Sequence, residues 1–370
     1  QLMQEYEEYD DPRGITREVG LKVKELDPYS HPRTTHTLNT SSPLLADGWM
    51  DHILYQSSDD ALGAIEHQEF TAPQVNAEFG YENSGAGATH AHHVSTEVFR
   101  KRLWNATMNG QYVTYGNTGT YGGRNLPPEV KYLDAPGAKT MTAWFDTMSR
   151  TRWWDLQPYF DVDGGRALAL PTVEYLVYIE KPGPVEITVA KHSYVVYWID
   201  PATGELTREK KEWKGEIYKA SPPDSTRDWI LHLSRDGRKE GMARSYFFES
   251  WRVPVQEPEV SRAKAPYELA VPAPEDILEL GQPIPFEIKL KRETAGTRRM
   301  MYVIKGEIAR GGQGVRLLGS GAQGMLKIPN HMLSEGEAPI AVRVAALNAP
   351  GKLYFVDYVF TARAAGQGRP

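Results

Sequence analysis

From Gln1 to about Arg150 short apolar runs alternate with amphipathic stretches, and the switching of period predicts repeated strand-then-helix units. The first helix is the clearest. Asp11-Pro12 supplies an N-cap and a proline at the first helical position, Ile15, Val19, Val23 and Leu26 fall on one face, and Asp27-Pro28 ends it. Strands are predicted at Arg33 to Leu38, His52 to Gln56, Gln74 to Phe79 and Gln111 to Tyr115. Helices are predicted at Asp59 to His67, Val94 to Met108 and Ala138 to Ser149. The opening Gln1-Leu2-Met3-Gln4-Glu5-Tyr6 reads as the end of a further strand, so five strands are expected in all. An intact (β/α)₈ barrel takes about 250 residues and this block has about 150, so it reads as the last five strands of such a barrel.

After Arg152-Trp153-Trp154 helical periodicity gives way to strands separated by turn chemistry. They are expected at Arg166 to Leu170, Glu174 to Ile179, Val185 to Ala190, Tyr194 to Ile199, Leu206 to Trp213, Trp229 to Leu233 and Arg244 to Trp251. Pro254 to Pro266 reads as a linker. More strands follow near Ile284 to Leu290, Met300 to Ile308, Ile340 to Leu347 and Leu353 to Thr361. The fold class expected is therefore α/β plus all-β: a partial TIM barrel over 1–152 and two antiparallel β-sandwiches over 153–253 and 254–370, the second Ig-like.

Composition narrows the chemistry. Lys plus Arg number 42 against 48 Asp plus Glu, and no basic run offers the phosphate-neutralising face of a nucleic-acid binder. No apolar stretch approaches the roughly 20 residues that cross a bilayer. There is no cysteine, which removes disulfides, thiolate metal sites and cysteine nucleophiles. The 9 Trp and 20 Tyr suit surfaces that stack on flat apolar ligands such as sugar rings.

In a strand-helix barrel catalytic groups sit at the C-terminal strand ends. Two carboxylates stand there: Glu78, at the end of Gln74-Val75-Asn76-Ala77-Glu78, and Glu5, at the end of the opening run, with Glu7 and Glu8 as rivals to Glu5. A pair of this kind is what a glycosidase needs, one carboxyl group protonated and one ionised across the scissile bond. His36, Gln56, Tyr81 and Tyr115 also fall at strand ends and offer neutral hydrogen bonds or stacking to a hydroxyl-rich substrate. Glu82 either binds substrate or pairs with Arg100 at the rim. His90-Ala91-His92-His93 lacks a supporting carboxylate ligand, so no metal and no cofactor is expected. Asp161-Val162-Asp163-Gly164-Gly165 is similar to a calcium turn but lacks the later bidentate Glu, and Gly311-Gly312-Gln313-Gly314 is better read as a hairpin turn than as a phosphate loop.

The run Glu25-Leu26-Asp27-Pro28-Tyr29-Ser30-His31-Pro32 with Thr35-His36, then Tyr55-Gln56-Ser57, Asn76-Ala77-Glu78 with Tyr81-Glu82, Tyr115-Gly116-Asn117 and Pro136-Gly137-Ala138-Lys139 resembles the apiosidase-like TIM-barrel glycoside hydrolases. Tyr197-Trp198-Ile199-Asp200-Pro201 with Thr203-Gly204-Glu205 resembles the collagen-binding-type β-sandwich that often follows such barrels. The resemblance covers roughly residues 1 to 250 and implies a glycoside hydrolase with a nucleophile at the seventh strand, matched by Glu78, and an acid/base at the fourth, matched by Glu5. It further implies a retaining mechanism and a polysaccharide or oligosaccharide substrate, and from that substrate alone a periplasmic or secreted setting is expected, because polymers are degraded outside the cytoplasm. The missing strands are expected from an upstream segment or a companion chain. The alternative is a non-catalytic carbohydrate-binding or scaffold protein with an incomplete barrel.

Overall fold

A computed structural model of the chain describes residues 1–8, 12–82, 93–118, 134–235, 264–292, 300–308, 315–333, 335–348 and 351–364. In chain order it places α1 (Pro12–Leu26), β1 (Ile53–Tyr55), α2 (Asp60–Glu69), β2 (Gln74–Asn76), β3 (Tyr81–Glu82), β4 (His93–Val94), α3 (Thr96–Met108), β5 (Tyr112–Val113) and α4 (Pro136–Ser149). Next come β6 (Gln157–Tyr159), β7 (Val162–Asp163), β8 (Arg166–Leu170), β9 (Glu174–Ile179), β10 (Val185–Ile199), β11 (Leu206–Arg208), β12 (Trp213–Ala220) and β13 (Trp229–Ser234). The last are β14 (Tyr267–Ala270), β15 (Ile277–Glu279), β16 (Ile284–Leu290), β17 (Met301–Ile308), β18 (Arg316–Ser320), β19 (Gln323–Leu326), β20 (Glu337–Leu347) and β21 (Leu353–Arg363). These elements gather into two compact units, Gln1–Val75 with Val255–Pro370, and Asn76–Pro254.

In the first unit the opening segment runs alongside residues 34–36. Leu2 N–H donates to the Thr34 carbonyl at 2.9 Å, His36 N–H to Met3 at 3.0 Å and Tyr6 N–H to His36 at 3.2 Å. The partners advance together along both segments, so the two run parallel, and the expected strand at Arg33 to Leu38 is an extended segment held by these bonds. Helix α1 forms where predicted but does not bury the face that its periodicity picks out. Ile15, Val19 and Leu26 are 45%, 43% and 64% exposed, while Thr16 and Gly20 are buried. The cause is Trp49: a Cβ on Gly20 would lie 2.3 Å from its indole, so only glycine lets the helix approach this ring. Trp49 packs in turn with Tyr6, Leu44 and Met50.

The rest of this unit is a β-sandwich. One sheet has the order β14-β16-β19 and the other β15-β21-β20-β17-β18, around a core that includes Tyr267, Ile304, Val342, Val344 and Val356. Along β20 and β21 the alternation of buried and exposed positions breaks down at one end, where Ala345, Leu347, Leu353 and Phe355 are buried on the face away from this core. Helix α2 packs on β17, β20 and β21, so strands covered on both faces read as continuous apolar runs.

The second unit repeats this construction. Its sheet has the order β11-β10-β13-β9-β8-β6, with β12 and β7 also paired to β10. All six residues of β9 and all six of β13 are buried. One face meets a core that includes Val177, Ile187, Val196 and Trp229. The other meets Trp104 and Met108 of α3 and Met148 of α4.

Some strand expectations are corrected. Val185 to Ala190 and Tyr194 to Ile199 form one strand, because the polar Lys191-His192-Ser193 lies at a register shift between Thr188 and His192 rather than in a turn. Leu206 to Trp213 is two strands, since the four charges Glu209-Lys210-Lys211-Glu212 cannot alternate between an apolar and a polar face. Arg244 to Trp251, most of Pro254 to Pro266, Gly311 to Gly314, His90 and His92 lie outside the described residues.

Candidate active site

Within the second unit, Glu78 stands two residues beyond the end of β2 and is partly exposed. The backbone on either side of it is pinned. The Thr114 hydroxyl donates to the Ala77 carbonyl at 2.7 Å, and Arg102 Nη1 donates to the Phe79 carbonyl at 3.0 Å. The Phe79 ring is buried against Phe99 of α3, with centroids 5.2 Å apart. On the carboxylate itself, the Tyr81 hydroxyl donates to Oε2 at 2.6 Å. A hydroxyl donor on an ionised carboxylate fixes its orientation and spreads its charge.

Glu82 is used differently. It is fully buried, and its oxygens accept from four neutral donors: Thr96 Oγ1 at 2.5 Å, Tyr115 Oη at 2.7 Å, Asn117 Nδ2 at 3.3 Å and the Gly137 N–H at 2.8 Å. Gly137 opens α4, where the helix dipole favours a carboxylate, and a Cβ there would sit 2.4 Å from Glu82 Oε2. Tyr115 is thereby tied up as a donor to Glu82, and burial, with the Glu82 hydrogen bond added, raises its phenol far above the ordinary tyrosine range. Arg100 does not pair with Glu82. Its Nε and Nη2 donate to Asp228 at 3.0 and 2.8 Å, and the Tyr178 hydroxyl joins them at 2.9 Å.

In the first unit, Glu5 is partly exposed and has φ of +41°, a backbone conformation that residues carrying a Cβ rarely adopt. Its neighbour Gln4 donates from Nε2 to His36 Nδ1 at 3.0 Å, and His36 is buried. Gln56 keeps a buried Oε1 with no partner among the described residues. Glu7, one rival of Glu5, is buried instead of open. It accepts from Thr37 Oγ1 at 2.5 Å and the Leu38 N–H at 3.1 Å, and burial raises its carboxyl above the ordinary range. The side chain of the other rival, Glu8, lies outside the described residues. No group of three or more potential metal ligands occurs among the described residues.

The structure thus places Glu78, Tyr81, Glu82 and Tyr115 in one unit and Glu5, His36 and Gln56 in the other. Sequence reasoning passed over Thr96 and Thr114. Thr96 had a usable signal as the residue after an N-capping Ser95, whereas Thr114 had only its place beside Tyr115.

Residues 4–155 match the family described as apiosidase-like, catalytic domain. Among solved structures, a glycoside hydrolase is matched at 17% identity and a TM-score of 0.50, over 58% of this chain and 60% of its own length. The chain therefore spans less than two thirds of that hydrolase. A β-glucuronidase from Ruminococcus gnavus, in complex with D-glucuronic acid, aligns at 10% identity and a TM-score of only 0.16, over 52% of this chain and 36% of its own. No curated protein matches the sequence. At residues 4–155 the chain is similar to apiosidase-like catalytic domains, and its fold is similar to that of a glycoside hydrolase.

Proposed function

We propose that this chain belongs to a retaining glycoside hydrolase of polysaccharides or oligosaccharides, with Glu78 as nucleophile and Glu5 as acid/base. The observation that carries the reading is Glu78 itself, a partly exposed carboxylate past a strand end, with its flanking backbone held on both sides and the Tyr81 hydroxyl on one oxygen. In the first step Glu5 gives its proton to the glycosidic oxygen while Glu78 attacks the anomeric carbon, forming a glycosyl ester as the leaving sugar departs. Glu5, now ionised, takes a proton from water. The water oxygen attacks the same carbon and Glu78 leaves as carboxylate. Gln56, whose residue is partly exposed, is assigned to the substrate, His36 fixes Gln4 beside Glu5, and Glu82 acts through Tyr115.

The barrel, in this reading, is the (β/α)₈ type, its other three strand-helix units coming from a preceding segment or a companion chain, and the enzyme works in the periplasm or outside the cell. What supports a completing segment is the open face of α1, where Val19, Val23 and Leu26 line a groove beside Glu18 and Lys22. The second reading is a carbohydrate-binding scaffold without chemistry, in which that face stays open.

One experiment separates them. Screened on pectic and other cell-wall polysaccharides, the protein releases reducing sugar with retained anomeric configuration by NMR, and Glu78→Gln abolishes release with the circular dichroism spectrum unchanged. Near-normal release by that variant removes the assignment.

A further inference from the structure

Two cations of one hairpin, β17–β18, enter two buried carboxylates of the barrel segment within the first unit. Arg316 Nη1 lies 3.5 Å from Glu7 Oε1, the two side chains being 6% and 3% exposed. Lys305 Nζ lies 2.5 Å from Glu66 Oε1, with 12% and 0% exposed. The hairpin holds these residues side by side, since Lys305 pairs with Leu317 and Gly306 with Arg316. The pairing shifts between Ile304–Gly319 and Lys305–Leu317, which leaves Leu318 as the extra residue of a bulge on β18, shortly before Arg316 in the direction of the pairing.

Each carboxylate is joined to a candidate active-site residue. Glu7 accepts from Thr37 Oγ1 and the Leu38 N–H, and so holds the turn Tyr6–Glu8 that directly follows Glu5 and its positive φ. Glu66 accepts from Thr40 Oγ1 at 2.7 Å, Ser42 Oγ at 2.8 Å and Tyr55 Oη at 2.6 Å, and Tyr55 directly precedes Gln56. Among the described residues, Arg316 Nε and Nη2 are buried without a partner, and Nη1 faces Glu7. A residue in the left-handed region persists only when its surroundings over-determine it.

We propose that the β17–β18 hairpin is a positioning clamp for the active face, with Arg316 setting Glu5 through Glu7 and Lys305 setting Gln56 through Glu66 and Tyr55. The catalytic meaning of the clamp rests on the assignment of Glu5 above; its mechanical part does not.

The test compares amide hydrogen exchange and kinetics of the full chain with Arg316→Met, Arg316→Lys and Lys305→Met. In Arg316→Met, exchange of Tyr6 and Leu38 quickens by about tenfold or more while 53–56 keeps its protection; Lys305→Met gives the reverse, and Arg316→Lys restores most of the protection. With Glu5 in its assigned role, kcat on the substrate of the screen falls by about 100-fold in Arg316→Met with KM within about twofold, and Arg316→Lys recovers much of it. Unchanged exchange at Tyr6 and Leu38 overturns the clamp whatever the activity does. Quickened exchange with unchanged kcat upholds the clamp and removes Glu5 from the chemistry. If Arg316→Met does not fold, Arg316→Gln replaces it, and exchange rising from Arg through Lys to Gln supports the clamp whereas equal exchange overturns it.

Discussion

Glu78 and Glu82 are four residues apart and differ in what surrounds their charge. Glu82 is closed off by four donors and serves as the point where Thr96, Tyr115, Asn117 and the start of α4 meet. Glu78 remains partly open, with Tyr81 on one oxygen. A hydrogen bond to an ionised group is worth about 1.5–3 kcal/mol, so Tyr81→Phe is expected to lower kcat by about 10- to 100-fold, with a smaller change in KM and no loss of fold. Steady-state kinetics on the substrate found in the screen checks this. An unchanged kcat would mean that the hydroxyl only packs the loop.

At the scale of elements, helix faces decide what is joined to what. Helix α2 buries Leu62, Ile65 and Glu66, and the charge among these apolar positions is answered by Lys305 from β17. Breaking a buried pair leaves a lone charge, so Lys305→Met is expected to cost about 3–5 kcal/mol, and Lys305→Met/Glu66→Gln to recover much of it, as read by urea unfolding. Burial on its own would lower the Lys305 ammonium, but Glu66 and Glu69 outweigh it and hold it above its ordinary 10.5. A group raised in the folded state contributes stability that is full below its unfolded value and lost as pH climbs through the folded one. The gap between wild type and Lys305→Met should therefore hold through neutral pH and narrow above 10.5. A gap that widens with alkaline pH would refute the pairing.

Over the whole molecule, both compact units follow one plan: a strand-rich layer is covered on its far face by helices of the segment similar to apiosidase-like domains. In the second unit the join is electrostatic as well as apolar, because Arg100 of α3 reaches Asp228, whose side chain is 2% exposed, beside the Tyr178 hydroxyl of β9. Asp228→Asn leaves the guanidinium without a counter-charge and is expected to lower the stability of this unit by about 3 kcal/mol or more, measured by thermal unfolding. A loss below about 0.5 kcal/mol would place the pair with ordinary surface bridges.

Sequence alone determined the elements whose signal is local. Helix α1 between Pro12 and the Asp27-Pro28 stop, strands β8 and β9, and the strand end that delivers Glu78 were legible because caps, prolines and alternation act over a few residues. It also singled out Tyr115, Asn117 and Gly137 as parts of motifs without giving their common target, Glu82. Tertiary structure decided the rest. Which face of α1 is buried depended on Trp49, nearly 30 residues beyond Gly20. The partner of Arg100 lay 128 residues away and that of Lys305 lay 239 away, at Glu66. Charge carries no sequence-local sign of its partner; only packing that excludes water selects which opposite charge it meets.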